Sequence, residues 1–170
     1  MSSSIVQKAW RWRTQTWVIL ILGFAAVLVG LITSYAFATF RPVTEVHVGQ
    51  AGVYRLWTAT TDAELYQGLS GIEQLPPAGG LLMDFKTPSL HGIVMRDMKV
   101  PLDIVWLDDE KVVIYIVKNA SPELGESKVF APKRPARYVL ELPAGSVQKS
   151  AIKLGAIVYF DDLEQGATKQ

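Results

Sequence analysis

The sequence predicts a mainly β (α+β) fold: a compact, small barrel- or sandwich-like domain with one short helix, preceded by a single N-terminal transmembrane helix. Three observations predict it. No charged residue occurs from Thr14 to Phe40. From Val43 onward the chain breaks into short alternating or wholly apolar runs separated by turn residues. Only one stretch of that region carries helix-start chemistry. About eight strand-like runs with one helix imply a closed or double-layered β architecture.

The N-terminal segment comes first. Trp17 to Ile32 is almost wholly apolar, and Tyr35 to Phe40 extends it. That length meets the roughly 20 residues needed to cross a bilayer. Lys8, Arg11 and Arg13 precede the span and only Arg41 follows closely, so the positive-inside rule places the N-terminus in the cytoplasm and the remainder outside or in the periplasm. The expected organisation is a cytoplasmic tail over 1–16, a transmembrane signal anchor over 17–40, an extracytoplasmic β-rich domain over 41–163 and a flexible tail over 164–170. Ala36-Phe37-Ala38 fits a small-x-small cleavage site, so removal after Ala38 is the alternative to a retained anchor. The apolar run exceeds the ~7–15 residues of a signal-peptide core, which favours retention.

Arg41-Pro42 ends the helix. Val43 to Val48 and Val53 to Thr58 read as strands around a Gly49–Gly52 turn. Thr61 and Glu64 have capping-box spacing and open a helix that Gly71 can stop. Pro76-Pro77 and Gly79-Gly80 mark a loop. Further strands are expected over 81–85, 92–96, 103–107, 111–117, 137–142 and 156–160. Asp108-Asp109-Glu110 forms a hairpin turn. Ile104–Leu107 and Val112–Val117 are apolar on both faces and read as central strands. Asn119 to Pro135, with three prolines, is a long loop that serves as a binding lid or as a stiff crossover.

Composition excludes several functions. The 170 residues contain no cysteine, which removes disulfides, thiolate metal sites and thiol nucleophiles. The net charge of +1 is not that of a nucleic-acid binder. It divides unevenly: three basic residues lie in 1–16, and the other fourteen face all sixteen acidic residues in 41–170, a net of −2. The two histidines, His47 and His91, lack metal-ligand spacing, so neither a metal nor a cofactor is expected. No nucleophile elbow and no phosphate-binding loop occurs.

Four pieces of the chain fall in a recognisable order: Gly68-Leu69-Ser70, Gly80-Leu81-Leu82-Met83-Asp84-Phe85, Val94-Met95-Arg96-Asp97-Met98-Lys99-Val100-Pro101-Leu102-Asp103-Ile104, and Tyr138-Val139-Leu140-Glu141-Leu142-Pro143-Ala144-Gly145. Together they resemble the family called domain of unknown function 192. The resemblance implies a β-rich fold, often behind a signal or membrane segment, and no established reaction. Where that family has aromatic-Met and Asn-Thr, this chain has Val94-Met95 and Asp97-Met98, and Trp106 replaces a usual Phe. That part of any site is altered here.

The candidate pocket residues are Met95, Arg96, Asp97, Asp103, Asp84 and Glu141. Asp103 opens an apolar strand, so its carboxylate needs a partner. That partner is either Arg96 in a polar pocket or backbone amides pinning the Met98–Pro101 turn. Asp84 shares a strand face with Leu82 and either pairs with Asp97 for acid–base work or faces solvent. Glu141 lies on the face of Val139 and answers Arg96 or Arg137, or is solvated. Lys128, Lys133, Arg134 and Arg137 form a basic cluster that is a solvated loop or a contact for anionic polymers or headgroups. The expected function is a membrane-anchored ligand-binding or accessory module of the cell envelope. Its pocket would lie among residues 62–70, 80–103 and 119–135 and take a small molecule or an envelope glycan. A carboxylate-dependent hydrolase and a structural subunit of a membrane assembly are the alternatives.

Overall fold

The computed structural model describes residues 20–29, 41–49, 52–76 and 79–163. The chain divides into two compact units, Met1–Arg41 and Pro42–Gln170. In the first, residues 20–29 form a helix, α1, with exposed side chains. The rest of the expected membrane segment and both expected tails lie outside the described residues. Among the described residues, no helix is long and apolar enough to cross a membrane.

The second unit is mainly β. Its strands are β1 (Val43–Val48), β2 (Gly52–Ala59), β3 (Leu81–Ser89), β4 (Leu102–Leu107), β5 (Val113–Ala120) and β6 (Ala136–Pro143). They form one sheet in the order β1-β2-β3-β6-β4-β5. All neighbours are antiparallel except β2 and β3. A parallel pair needs a crossover, and here it holds the helix α2 (Asp62–Gln67). The capping box expected there is present: Thr61 Oγ1 accepts from the Glu64 amide, and the Glu64 carboxylate accepts from the Thr61 amide at 3.0 Å. The helix ends at Gly68, one turn before Gly71.

Two expected strands are not strands. Residues 92–96 make one bridge, Ile93 to Phe130, because the chain turns at Asp97, which has a φ of 52°. Residues 156–160 instead close the sheet. Tyr159 and His47 exchange both backbone hydrogen bonds on the β1 edge, and the Val113 amide donates to the Ala156 carbonyl at the β5 edge. One short segment thus spans both edges, giving a barrel-like closure and covering edges that would otherwise be open. A second short helix, α3 (Ser146–Lys149), follows β6.

The sheet has a core on each face. Val46, Leu56, Leu82, Val105, Leu107, Leu140 and Val158 belong to the inner cluster. Leu81, Met83, Ile104, Trp106 and Val139 belong to the outer cluster, with Met95, Met98 and Phe130 from the connecting loops. All six residues of β4 are buried, as expected for a central strand. β5 does not share that place: it is a sheet edge with several half-buried residues. The 119–135 loop is no free lid. It opens with a 3-10 turn at Pro122–Leu124, and Phe130 packs into the outer core. Trp106, fully buried, donates its indole N–H to the His91 carbonyl at 2.9 Å and fixes the corner after β3.

Tyr159→Pro removes an N–H of the closing segment. It is expected to lower stability by about 1–3 kcal/mol in urea unfolding and to speed amide exchange at His47. Unchanged stability and exchange would show that the segment does not close the sheet.

Candidate functional site

Each of the three central strands carries one buried carboxylate: Asp84 on β3, Asp103 on β4 and Glu141 on β6, all 5% exposed or less. Such groups need partners, because an isolated charge cannot be moved from water into a core without a large cost.

Asp84 is not on a solvated face. It lies on the inner side of the sheet with Leu82, and Arg137 reaches it from β6. Arg137 Nε donates to Oδ1 at 3.0 Å and Nη2 to Oδ2 at 3.3 Å. Lys86 adds its amide at 2.8 Å and its ammonium at 3.1 Å. Burial pushes the Asp84 carboxyl upward. The hydrogen bonds from Arg137 and Lys86 outweigh it, and the carboxyl sits below its ordinary range. The hydrogen bond to Asp84 raises the Arg137 pKa in turn. Burial pushes the neighbouring Tyr138 phenol up to about 12. Arg137 also binds Asp109 at 3.1 Å, tying β6 to the β4–β5 turn.

Asp103 binds backbone amides, but not those of the Met98–Pro101 turn. Oδ1 accepts from Asn119 and Oδ2 from Val147, each at 2.8 Å. One carboxylate therefore holds the end of β5 and the first turn of α3. Opposite β6, Asp84 pairs with Tyr138 and Asp103 with Leu142, four residues along the strand. With about 3.3 Å per residue along β6 and two strand spacings of about 4.8 Å across it, they stand roughly 16 Å apart. Asp97 is exposed in its turn. The three aspartates do not form a carboxylate pair for acid–base chemistry.

The basic cluster is also dispersed. Arg137 serves Asp84, Arg134 lies 3.5 Å from Asp108, and Lys128 sits over Phe130 at 4.9 Å.

Glu141 and Arg96 are brought to one cavity. Its volume is about 270 Å³, and Leu65–Ser70, Met83, Gly92–Val94, Arg96, Met98 and Glu141 line it. Glu141 reaches it because Val139 and Glu141 share the outer face of β6. Two glycines allow the approach. A Cβ on Gly80 would stand 2.2 Å from the Glu141 carbonyl oxygen. Gly68, with φ +52°, turns the chain beside the carboxylate, whose Oε2 lies 3.8 Å from the place of a Cβ there. Arg96 stacks on the Tyr66 ring, 3.8 Å from its centroid, and donates from Nη2 to the Tyr66 carbonyl. Glu126 stands 3.9 Å from its Nε. Met95 is fully buried beneath, its amide bound to the Gly125 carbonyl at 2.9 Å. The 119–135 loop contributes no lining residue. Two larger grooves run along the closing seam around His47, Lys111 and Phe160, but none of their charged residues is buried.

Of the candidate residues, the fold thus joins Arg96 and Glu141, sets Met95 behind them, and places Asp84, Asp97 and Asp103 elsewhere. Tyr66, Met83 and Met98 belong to the cavity without having been singled out. The one available signal was Gly68-Leu69 directly after the helix. Among the described residues, no group of His, Cys, Asp and Glu could hold a metal ion.

Asp103→Asn turns an NH₂ toward one of the two amides. It is expected to cost about 3 kcal/mol in urea unfolding. Asp84 gives a pH signature. Its folded pKa lies below the ordinary aspartate value, so the unfolded chain binds more protons in that window and stability rises with pH. This contribution is complete above the unfolded pKa and is lost as pH falls through the folded one. Unfolding curves from pH 2 to 6 are expected to show a shallower acid slope for Asp84→Asn; an identical slope would refute the assignment.

Residues 44–160 match the DUF192 family, described as Uncharacterized ACR. A UPF0127 protein of Pyrococcus furiosus is 30% identical over 67 residues, covering 39% of this chain and 51% of its own length. One from Thermococcus kodakarensis is 23% identical over 117 residues, covering 69% and 71%. The chain spans about half the length of the first of these relatives. Two crystal structures share the fold. A proposed transcription regulator of Sinorhizobium meliloti 1021 superposes with a TM-score of 0.67 at 23% identity, over 71% of this chain and 95% of that one. A protein of unknown function from Novosphingobium aromaticivorans DSM 12444 gives 0.62 at 30% identity, over 69% and 83%. The matched span holds the six-stranded sheet except Val43, the first residue of β1, and every lining residue of the cavity, and the chain belongs to the DUF192 family.

Proposed function

We propose that residues 41–163 are a ligand-binding accessory module, held at the outer face of a cytoplasmic membrane by the segment 17–40. The observation that carries the binding reading is the cavity between α2, the 92–98 turn and β6, into which Arg96 and the buried Glu141 both reach. A small concave site with apolar walls and few polar groups is the usual form of a small-molecule site. The ligand is a small polar molecule or the end of an envelope glycan. A hydrolase reading has less support, since Asp84 and Asp103 are taken up by structural partners.

Support for the anchor comes from the charge-free stretch and its flanking Lys8, Arg11 and Arg13. Its retention is favoured by the length of the apolar run.

Thermal-shift screening of the full chain in detergent against envelope sugars and muropeptides is expected to give a ligand that raises the melting temperature. Glu141→Gln should abolish that rise. No response to any compound would overturn the reading. Alkaline carbonate extraction of membranes is expected to leave the chain in the pellet with its N-terminus intact; release of a product beginning at Thr39 would refute a retained anchor.

A further inference from the structure

We propose that β2 takes up an extended peptide of a partner protein along the part of its edge that β3 leaves open, with an acidic side chain of that peptide toward Lys149. The site is separate from the cavity that holds Arg96 and Glu141, and neither needs the other.

The directions of the β2 backbone groups follow from its pairing with β1. His47 and Tyr159 exchange both backbone hydrogen bonds at 2.9 Å, so the His47 N–H and C=O point away from β2. In an antiparallel ladder the residue opposite such a position turns its own groups away as well. That residue is Val53. Two and four residues on, Arg55 and Trp57 point the same way. Trp57 shows where they point: its amide donates to the Gly80 carbonyl at 3.0 Å, on the β3 side. Yet β3 lies beside β2 only from Trp57 to Ala59. Val53 and Arg55 therefore present two N–H and two C=O groups that no backbone group among the described residues takes up. Such an edge is a template for one more strand.

A groove of about 480 Å³ runs along this edge. The start of β2 forms one wall and the turn from β6 into α3 the other, with Leu75 and Pro76 beside them. β2 and β6 are the two neighbours of β3, and Leu81, its first residue, pairs with both Trp57 and Glu141. The groove thus continues the line of β3 past its start, which is a place for an added strand. The chain's own approach to β3 includes Pro76 and Pro77, which have no N–H to give this edge. Charge defines the guest further. Lys149 lines the groove, and Arg55 is the next exposed residue of the same edge after Val53. Neither has an ion pair among the described residues. No acidic residue lines the groove, and Glu45, opposite Arg55 on β1, hydrogen-bonds His47 at 2.8 Å. An acidic side chain on the added segment meets these cations, and an apolar one packs on the exposed Val53 and the half-buried Leu75.

The test is amide hydrogen exchange at Val53 and Arg55 in the full chain in detergent, with and without peptides. Both amides are expected to exchange rapidly in the free chain; protection there would show that the edge is already covered and overturn the proposal. The probes are an array of acetylated, amidated heptapeptides alternating Val or Ile with Glu, the same array with Lys for Glu, and the best Glu peptide N-methylated at alternate residues in each of the two registers. Glu peptides are expected to bind and to slow exchange at Val53 and Arg55, and the Lys peptides to bind about ten-fold or more weakly. One N-methylated register should lose binding and the other keep it. Val53→Pro removes an N–H that faces the groove without breaking a bond to β1, and should abolish binding with the melting temperature kept. Lys149→Glu should invert the preference between the Glu and Lys arrays, which decides the matter even if the proline variant does not fold. No peptide of either array binding, binding without protection at Val53 and Arg55, or equal binding by the two arrays overturns the proposal.

Discussion

A sheet covered on both faces leaves no solvated side on which to place a charge. In β3, β6 and β4 the inner face packs into the barrel-like closure and the outer face is roofed by the connecting loops. Every carboxylate in these strands must therefore be answered from inside the protein. Asp84, Asp103 and Glu141 meet this constraint in three ways, and the differences divide structure from candidate function.

Asp84 is answered by charge. Arg137 and Lys86 surround it, and Arg137 carries the network on to Asp109 in the β4–β5 turn. Asp103 is answered by the backbone, joining two segments that share no strand pairing, the end of β5 and the start of α3. α3 is only four residues long and has no side-chain cap of its own, so a carboxylate supplied from β4 takes that role. Glu141 differs in place. It lies on the other face of the sheet, beside a glycine turn and a cavity that also holds Arg96. The first two carboxylates tie segments of the fold together, and the third lines the cavity.

What was legible in the sequence was what local chemistry decides. Thr61 and Glu64 declare the start of α2 because both partners of the capping box lie within one turn. Alternation correctly assigns faces: Val139 with Glu141, and Leu82 with Asp84. It cannot tell what covers a face, so Asp84 reads as solvated though it is buried. β5 reads as central from its apolar run, yet it is an edge; residues 155–158 bond to its first residues, and such a contact has no local sequence signal. α3 was missed for the same reason, since Asp103 holds it from 44 positions away. The cavity lay within reach of the Gly68-Leu69 motif, but the convergence of Tyr66, Met83 and Met98 on Glu141 comes only from tertiary packing.

The methionines offer the most direct test of the cavity as the ligand site. The chain has four, and the three after Met1 all pack in the outer core. Met83 and Met98 line the cavity and Met95 lies behind them. With ¹³C-methyl methionine in the full chain, titration with the envelope sugar or muropeptide that raises the melting temperature should shift the Met83 and Met98 methyl resonances in a saturable way. Saturable binding with both methyls unmoved would place the ligand elsewhere and contradict the account.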